Sequence, residues 1–392
     1  MSEPIIKLKP GRERPVLAGH PWIFSGAIAD LDAGIAAGSV VTVQTNAGQF
    51  VARGYCNPRC AITVRVLTRV DEPVDRPLLQ ACLETALALR HSILPSETDA
   101  FRLLNGEGDY LPGVVADVYG DTIVLQCLTA GADMLKPLLV DVLTALQQPQ
   151  RIYERSVGNV RREEGLSQAV GALHGELPEN LIQIREGGLR FQVDVKAGQK
   201  TGFFLDQRAN RQLARELAPG RTVLNAFAYT GAFGIYAAAG GARRVVSVES
   251  SARALEAIRN HMTLNGQAPE SHQLIEADIF ELLRQRDDRY DLFILDPPAL
   301  VKHRNEVQRG ARAYKDLHLQ AFRRASPGAL VMTFSCSQHV PADLFWKIVH
   351  GAAVDAGRSV QALRTLGPGA DHPVSLSHPE GVYLKGLLLR VK

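Results

Sequence analysis

The sequence predicts an α/β protein in three parts: a small β-barrel, an α+β segment, and a doubly wound, mostly parallel sheet ending in an antiparallel strand. Three observations carry this. Beyond residue 200, apolar strand-length runs alternate with helix-length amphipathic runs. Residues 1–70 hold only short β-branched runs between Gly, Asn and Pro turns. The chain finishes on Leu387-Leu388-Leu389-Arg390-Val391, a strand with no helix after it.

In chain order, Ser39–Val43 and Ala61–Val66 read as barrel strands, and Asp71-Glu72-Pro73-Val74-Asp75 as a linker. The segment 76–190 reads as a helix near 77–94, strands at 114–118 and 122–126 joined by Tyr119-Gly120-Asp121, a helix near 133–147 and a strand at 152–154. Asn105-Gly106-Glu107-Gly108-Asp109 reads as a turn. From 195 to 392, strands fit 222–227, 244–249, 272–277, 290–295 and 329–335. Helices fit 232–239, 251–264, 279–286, 304–325 and 341–356.

With 392 residues, 46% hydrophobic and 22% charged, the chain suits two or three globular domains. It has no run of membrane-span length and no apolar leader after Met1. Its five scattered cysteines argue against a disulfide framework and for a reducing, cytoplasmic setting. No cysteine–histidine spacing marks a metal site, so no metal is expected. A homodimer is left open. The net charge of +3 is unevenly spread. Residues 1–70 hold eight bases, among them Lys7, Lys9, Arg12 and Arg14, against the four acids Glu3, Glu13, Asp30 and Asp32. Such a segment suits nucleic-acid phosphates, and a solvated basic face is the plain alternative.

In an open parallel sheet, ligands bind at the carboxyl ends of the strands. The first strand of the sheet runs through Asn225 and Phe227 into Tyr229-Thr230-Gly231, a loop without the Gly-x-Gly-x-x-Gly spacing that a pyrophosphate needs. S-adenosylmethionine carries no phosphate and tolerates such a loop. Glu249, ending the second strand, suits two ribose hydroxyls. Asp278, ending the third, suits an adenine amino group or simply caps the next helix.

Asp296-Pro297-Pro298 ends the fourth strand as a stiff loop able to grip a base. It resembles the motif of amino-group methyltransferases, in which an aromatic residue usually follows; here Ala299 and Leu300 follow. Cys336, forty positions on, closes the fifth strand. A thiolate adding to C6 of cytosine makes C5 nucleophilic enough to take a methyl group, while Asp296 stabilises the charge entering the ring at N3. A buried core cysteine is the alternative. Two rival functions follow: N-methylation of an RNA guanine or adenine, and a non-catalytic RNA-binding assembly factor. A nicotinamide dehydrogenase is disfavoured by the glycine spacing.

The chain resembles the bacterial ribosomal RNA large subunit methyltransferase I family, which makes 5-methylcytosine in 23S rRNA. The resemblance spans nearly the whole length. It rests on Gly202–Arg208, Leu224–Gly231, Asp296-Pro297-Pro298, Thr333–Ser337, Ala370–Val374 and Pro379–Gly386. It implies an N-terminal PUA RNA-binding barrel (1–70), a central α+β domain (76–190) and a Rossmann-like class I methyltransferase domain (195–392). It implies S-adenosylmethionine as cofactor, with Phe204, Asp206, Gln207 and Arg208 helping to cover it, and Cys336 as nucleophile. Other RNA cytosine methyltransferases also carry a cysteine right after Pro-Pro; Ala299 stands there instead.

Overall fold

A computed structural model of the chain describes residues 3–31, 34–179 and 181–392; Asp32, counted among the N-terminal acids, lies outside them. By packing, the chain forms two units. One comprises 1–185, 193–205 and 370–381; the other comprises 186–192, 206–369 and 382–392.

The first unit holds two sheets. Six short strands between Ile5 and Thr68 form one of them, with a single parallel pairing, Ile5–Leu8 against Val40–Gln44. Its alternating residues Ile6, Leu8, Val41 and Val43 are fully buried, the period-two signature of a strand with one core face. The other sheet has five strands, Ala100–Asn105, Val114–Tyr119, Thr122–Cys127, Arg151–Ser156 and Ala169–His174, covered by helices Arg76–Ile93 and Ala130–Gln147. Asp75 caps the first helix through Leu78 N, and Thr129 caps the second through Ala132 N. The turn Gly106–Asp109 does more than reverse the chain. Fully buried Arg90 forks onto Asp109 (2.5 and 2.7 Å) and donates to the Asp371 carbonyl (2.8 Å).

The second unit is the doubly wound sheet. Its strands are β1 (Thr222–Ala226), β2 (Arg244–Glu249), β3 (His272–Glu276), β4 (Tyr290–Leu295), β5 (Ala325–Ser335), β6 (Val360–Leu366) and β7 (Lys385–Val391). Its helices are α1 (Arg208–Leu217), α2 (Ala232–Ala239), α3 (Ala252–Leu264), α4 (Ile279–Gln285), α5 (Val307–Arg324) and α6 (Ala342–Asp355). The spatial order is β3-β2-β1-β4-β5-β7-β6. The first five strands are mutually parallel, and β7 lies antiparallel to both β5 and β6. Val360–Leu366 and Arg208–Leu217 are elements the sequence reading did not assign. The first is mostly exposed, and the second buries Arg208, Asn210 and Arg211 along with Ala214, so its inward face does not read as apolar.

The near-continuous apolar runs of β4 and β5 are explained by burial on both faces. Phe293, Leu295 and Val331 pack with Tyr314, Leu317 and Phe345 of α5 and α6. Leu292, Ile294, Leu330, Met332 and Phe334 pack with Ala214, Phe233 and Ala237 of α1 and α2. Each fully buried side chain of this size contributes roughly 1.5–3 kcal/mol.

Candidate active site

Register aligns the strand ends. Ala226 pairs with Val248 on one side and Leu295 on the other, Glu249 pairs with Glu276, and Leu295 pairs with Thr333. The segments that begin at Phe227, Glu249, Ala277, Asp296 and Cys336 therefore leave the sheet along one edge, where a parallel sheet binds ligands.

The loop after β1 is tightly shaped. Phe227 (φ +55°) and Tyr229 (φ +48°) both occupy the left-handed region, at a cost of roughly 1–2 kcal/mol each. Gly231 follows at φ +80°, and a Cβ there would lie 2.8 Å from two Ile258 side-chain carbons. Two groups hold the loop. Glu249 Oε2 accepts from Tyr229 N (2.8 Å), while its Oε1 accepts from Ser250 N and Ser251 N. Buried His261 accepts from Gln192 N at Nε2 (2.9 Å) and so donates from Nδ1 to Thr230 O (2.8 Å). Burial pulls the His261 pKa down, outweighing the carbonyl contacts that raise it, as a neutral imidazole in this role requires.

Asp278 caps α4. Its Oδ1 accepts from Phe280 N (2.7 Å) and Glu281 N (3.2 Å), and the residue is exposed. Phe280 stands edge-on to Phe227, with ring centroids 6.0 Å apart. Asn225 is buried on the α2 side, donating to Ser247 Oγ (3.1 Å), which shares a 2.8 Å bond with His272 Nε2.

Asp296 and Gln207 are brought together. Gln207 Nε2 donates to Asp296 Oδ2 at 3.0 Å, and Asn210 Nδ2 donates to Gln207 Oε1 at 2.6 Å and to Gly367 O at 3.0 Å. Asp206 accepts from the Tyr383 hydroxyl at 2.6 Å. Arg208 is buried in an ion cluster: it and Arg211 share Glu186, which also accepts from the Tyr236 hydroxyl. Pro297 is buried and Pro298 exposed.

Strand alternation sets the direction of Cys336. Thr333, Ser335 and Ser337 turn toward α5, where Thr333 Oγ1 bonds His318 Nε2 (2.7 Å). Ser335 donates to the Tyr314 hydroxyl (3.0 Å), which bonds Ser337 Oγ (3.0 Å). Ser337 Oγ also accepts from Val301 N (3.2 Å), tying this segment to the loop that follows Asp296. Gly310 lets α5 close on that loop, since a Cβ there would sit 2.2 Å from Val301 Cγ2. Cys336, half-buried, packs instead with the α1/α2-side cluster, the face on which Asp296 meets Gln207.

Phe204, Lys7, Lys9, Arg12 and Arg14 belong to the other unit. Lys200 Nζ lies 4.6 Å from the Phe204 ring centroid. The four bases are exposed, with Lys9 Nζ donating to Gly26 O (3.0 Å). The sequence reading missed Asn210 and Tyr314, which hold Gln207 and the β5 end in place. Only the four-residue spacing of Tyr314 and His318 on one helix face hinted at the first contact with β5. Among the described residues no cluster of metal-binding side chains occurs, and no helix is long and apolar enough to cross a membrane.

The residues present fit S-adenosylmethionine. A close-approach loop without phosphate spacing, a half-exposed carboxylate ending β2, and an exposed acid beside a half-buried phenyl ring after β3 have the chemistry that its ribose and adenine would need.

Comparisons agree. Residues 6–69 match the PUA-like domain, and residues 159–332 match the S-adenosylmethionine-dependent methyltransferase domain. A Streptococcus mutans protein assigned as a SAM-dependent methyltransferase superposes with a TM-score of 0.84 at 22% identity, covering 99% of this chain and all of that one. A solved methyltransferase-type chain complexed with SAH gives the same TM-score at 23% identity, with both chains wholly covered. The ribosomal RNA large subunit methyltransferase I of Alteromonas mediterranea is 40% identical over 100% of this chain and 99% of its own. That of Shewanella amazonensis is 41% identical over 98% and 99%. A PUA-like domain, a methyltransferase sheet and full-length relatedness at this level together mean that the chain belongs to the ribosomal RNA large subunit methyltransferase I family of S-adenosylmethionine-dependent enzymes.

Proposed function

We propose that the protein methylates C5 of a cytosine in 23S rRNA, in the cytoplasm, through a covalent Cys336 adduct. The observation that carries this reading is the placement of Cys336 and Asp296 at adjacent strand ends on one face of the sheet. When bound, S-adenosylmethionine supplies an electrophilic methyl group. The Cys336 thiolate forms a bond to C6, and the C5=C6 π electrons become available at C5. Asp296 keeps N3 protonated, so the electron density that sulfur addition pushes into the ring is taken up at that proton, which the fixed carboxylate holds in place. After C5 is methylated, loss of its proton and departure of the sulfur restore the ring.

Residues 1–70 act as the RNA-binding barrel, 76–190 as a central domain and 195–392 as the catalytic domain. Lys7, Lys9, Arg12 and Arg14 contact phosphates, and Pro297 and Pro298 line the base pocket. Asn225, the segment Phe227–Gly231, Glu249 and Asp278 hold the cofactor, with Phe204, Asp206, Gln207 and Arg208 on its cover. The base must leave its stack to reach such a site.

The test is product identity. The protein is incubated with 23S rRNA carrying [5-³H]cytidine and unlabelled cofactor, and the nucleosides are analysed. Expected are 5-methylcytidine and tritium release in equal amount. Methylated guanosine or adenosine without tritium release would replace this reading with N-methylation.

A further inference from the structure

Lys385 opens β7 and pairs in register with Ser335, the residue before Cys336. Its ammonium donates to the carbonyl of Ser337, the residue after Cys336, at 2.7 Å. The residue thus pairs by backbone on one side of the thiol, and its half-buried ammonium bonds the chain on the other. Other titratable groups near this segment are the Tyr314 hydroxyl from α5, Tyr383 in the same apolar cluster as Cys336 with its hydroxyl on Asp206, and Asp296 at the end of the neighbouring strand β4. A carboxylate there disfavours a thiolate, and a hydroxyl only donates to it. Lys385 is the cation placed to offset the carboxylate. Burial draws its pKa down, and charge on Cys336 draws it back up, so the two groups feel each other.

We propose that Lys385 is a positioning residue that holds Cys336 in its thiolate form. The proposal rests on Cys336 being the nucleophile. The Cys336 thiol releases its proton to solvent, Lys385 stays protonated, and the sulfur lone pair is left to attack carbon. An opposite charge within about 4–6 Å lowers a thiol pKa by about one unit or more.

The test needs neither RNA nor cofactor. Iodoacetamide alkylates thiolates: a sulfur–carbon bond forms as iodide leaves. The rate is read across pH by mass spectrometry of the peptide containing Cys336. Burial pushes Cys56 and Cys127 up to about 12 and Cys60 to about 11, so those thiols react little near neutral pH. Lys385→Met is expected to raise the midpoint of the pH–rate curve by about one unit and to slow alkylation about tenfold at pH 7. Lys385→Arg should restore most of it. Should Lys385→Met fail to fold, as judged by thermal melting, Lys385→Gln keeps a donor for Ser337 without the charge and carries the same expectation. An unmoved midpoint in the folded, uncharged variant overturns the proposal. Cys336→Ala turnover separates the two claims. Activity retained in Cys336→Ala sinks the nucleophile reading, and with it any catalytic purpose for the pair. An inactive Cys336→Ala beside an unmoved midpoint sinks only the role of Lys385.

Discussion

The Gln207 side-chain amide donates to Asp296 across 3.0 Å, and its orientation is forced, because Asn210 donates to the other end of the same amide. The carboxylate at the end of β4 therefore keeps a fixed donor on one oxygen, and it is aimed before any base arrives. Preorganisation of this kind lets a charged group act on a developing charge without reorganising.

Asp296→Asn removes the charge while its amide oxygen can still accept from Gln207 Nε2. Turnover at saturating substrate is expected to fall roughly 10²–10³-fold. Gln207→Leu leaves the carboxylate but strips its donor, at a stability cost of about 1–3 kcal/mol and with a smaller rate loss. Single-turnover methyl transfer and thermal melting of both variants separate charge from scaffold. A loss of tenfold or less in Asp296→Asn would leave the residue a structural role only.

Cys336→Ala should lose turnover while binding S-adenosylmethionine with unchanged affinity by calorimetry. The side chains that fix its neighbours, Tyr314, Ser335 and Ser337, bond one another, so that network outlasts the loss of the sulfur. Residual turnover near wild type would end the covalent mechanism.

The strands that end in Asp296 and Cys336 were legible because burial on both faces leaves an unbroken apolar run, which polar strand-end residues punctuate. Val360–Leu366 was not legible, because most of it faces solvent and carries no apolar signal. Arg208–Leu217 hid for a related reason: Arg208 and Arg211 are held by Glu186, a partner more than twenty positions away that no local pattern reveals. The roles of Tyr314 and Lys385 depend on register between elements distant in sequence, and only the folded sheet sets that register. Asp278 shows the converse. Its capping geometry was readable from position alone.

Two buried histidines give the fold a pH limit. Burial lowers His272 and His318 from the usual 6.5 to about 4. His272 Nδ1 has no hydrogen-bond partner, so a second proton there would have nowhere to go. Between pH 6.5 and 4 the unfolded chain binds protons that the folded chain refuses, so stability falls as pH falls through that window. Each histidine costs on the order of 3 kcal/mol of stability by pH 4 and nothing above pH 7. The melting temperature should be flat from pH 7 to 8 and drop below 6.5. His318→Gln should flatten that drop. An unchanged pH profile in this variant would assign the acid sensitivity elsewhere.

The exposed bases of the N-terminal sheet make the last prediction. Lys7, Lys9, Arg12 and Arg14 sit in the 6–69 segment that matches a PUA-like domain, and all four are solvent-facing. Contacts to single-stranded phosphates give a slope of log affinity against log salt of about −0.7 per contact, and contacts to duplex about −0.9. Replacing all four with Gln should weaken rRNA binding at low salt and reduce the magnitude of that slope by about 0.7–0.9 for each lost contact. Methyl transfer at saturating RNA should be preserved, since none of the four belongs to the unit that carries Cys336 and Asp296. Filter binding over a salt series reads the slope directly. A slope unchanged from the parent protein would mean that these bases face solvent in the complex, and that other cations hold the RNA.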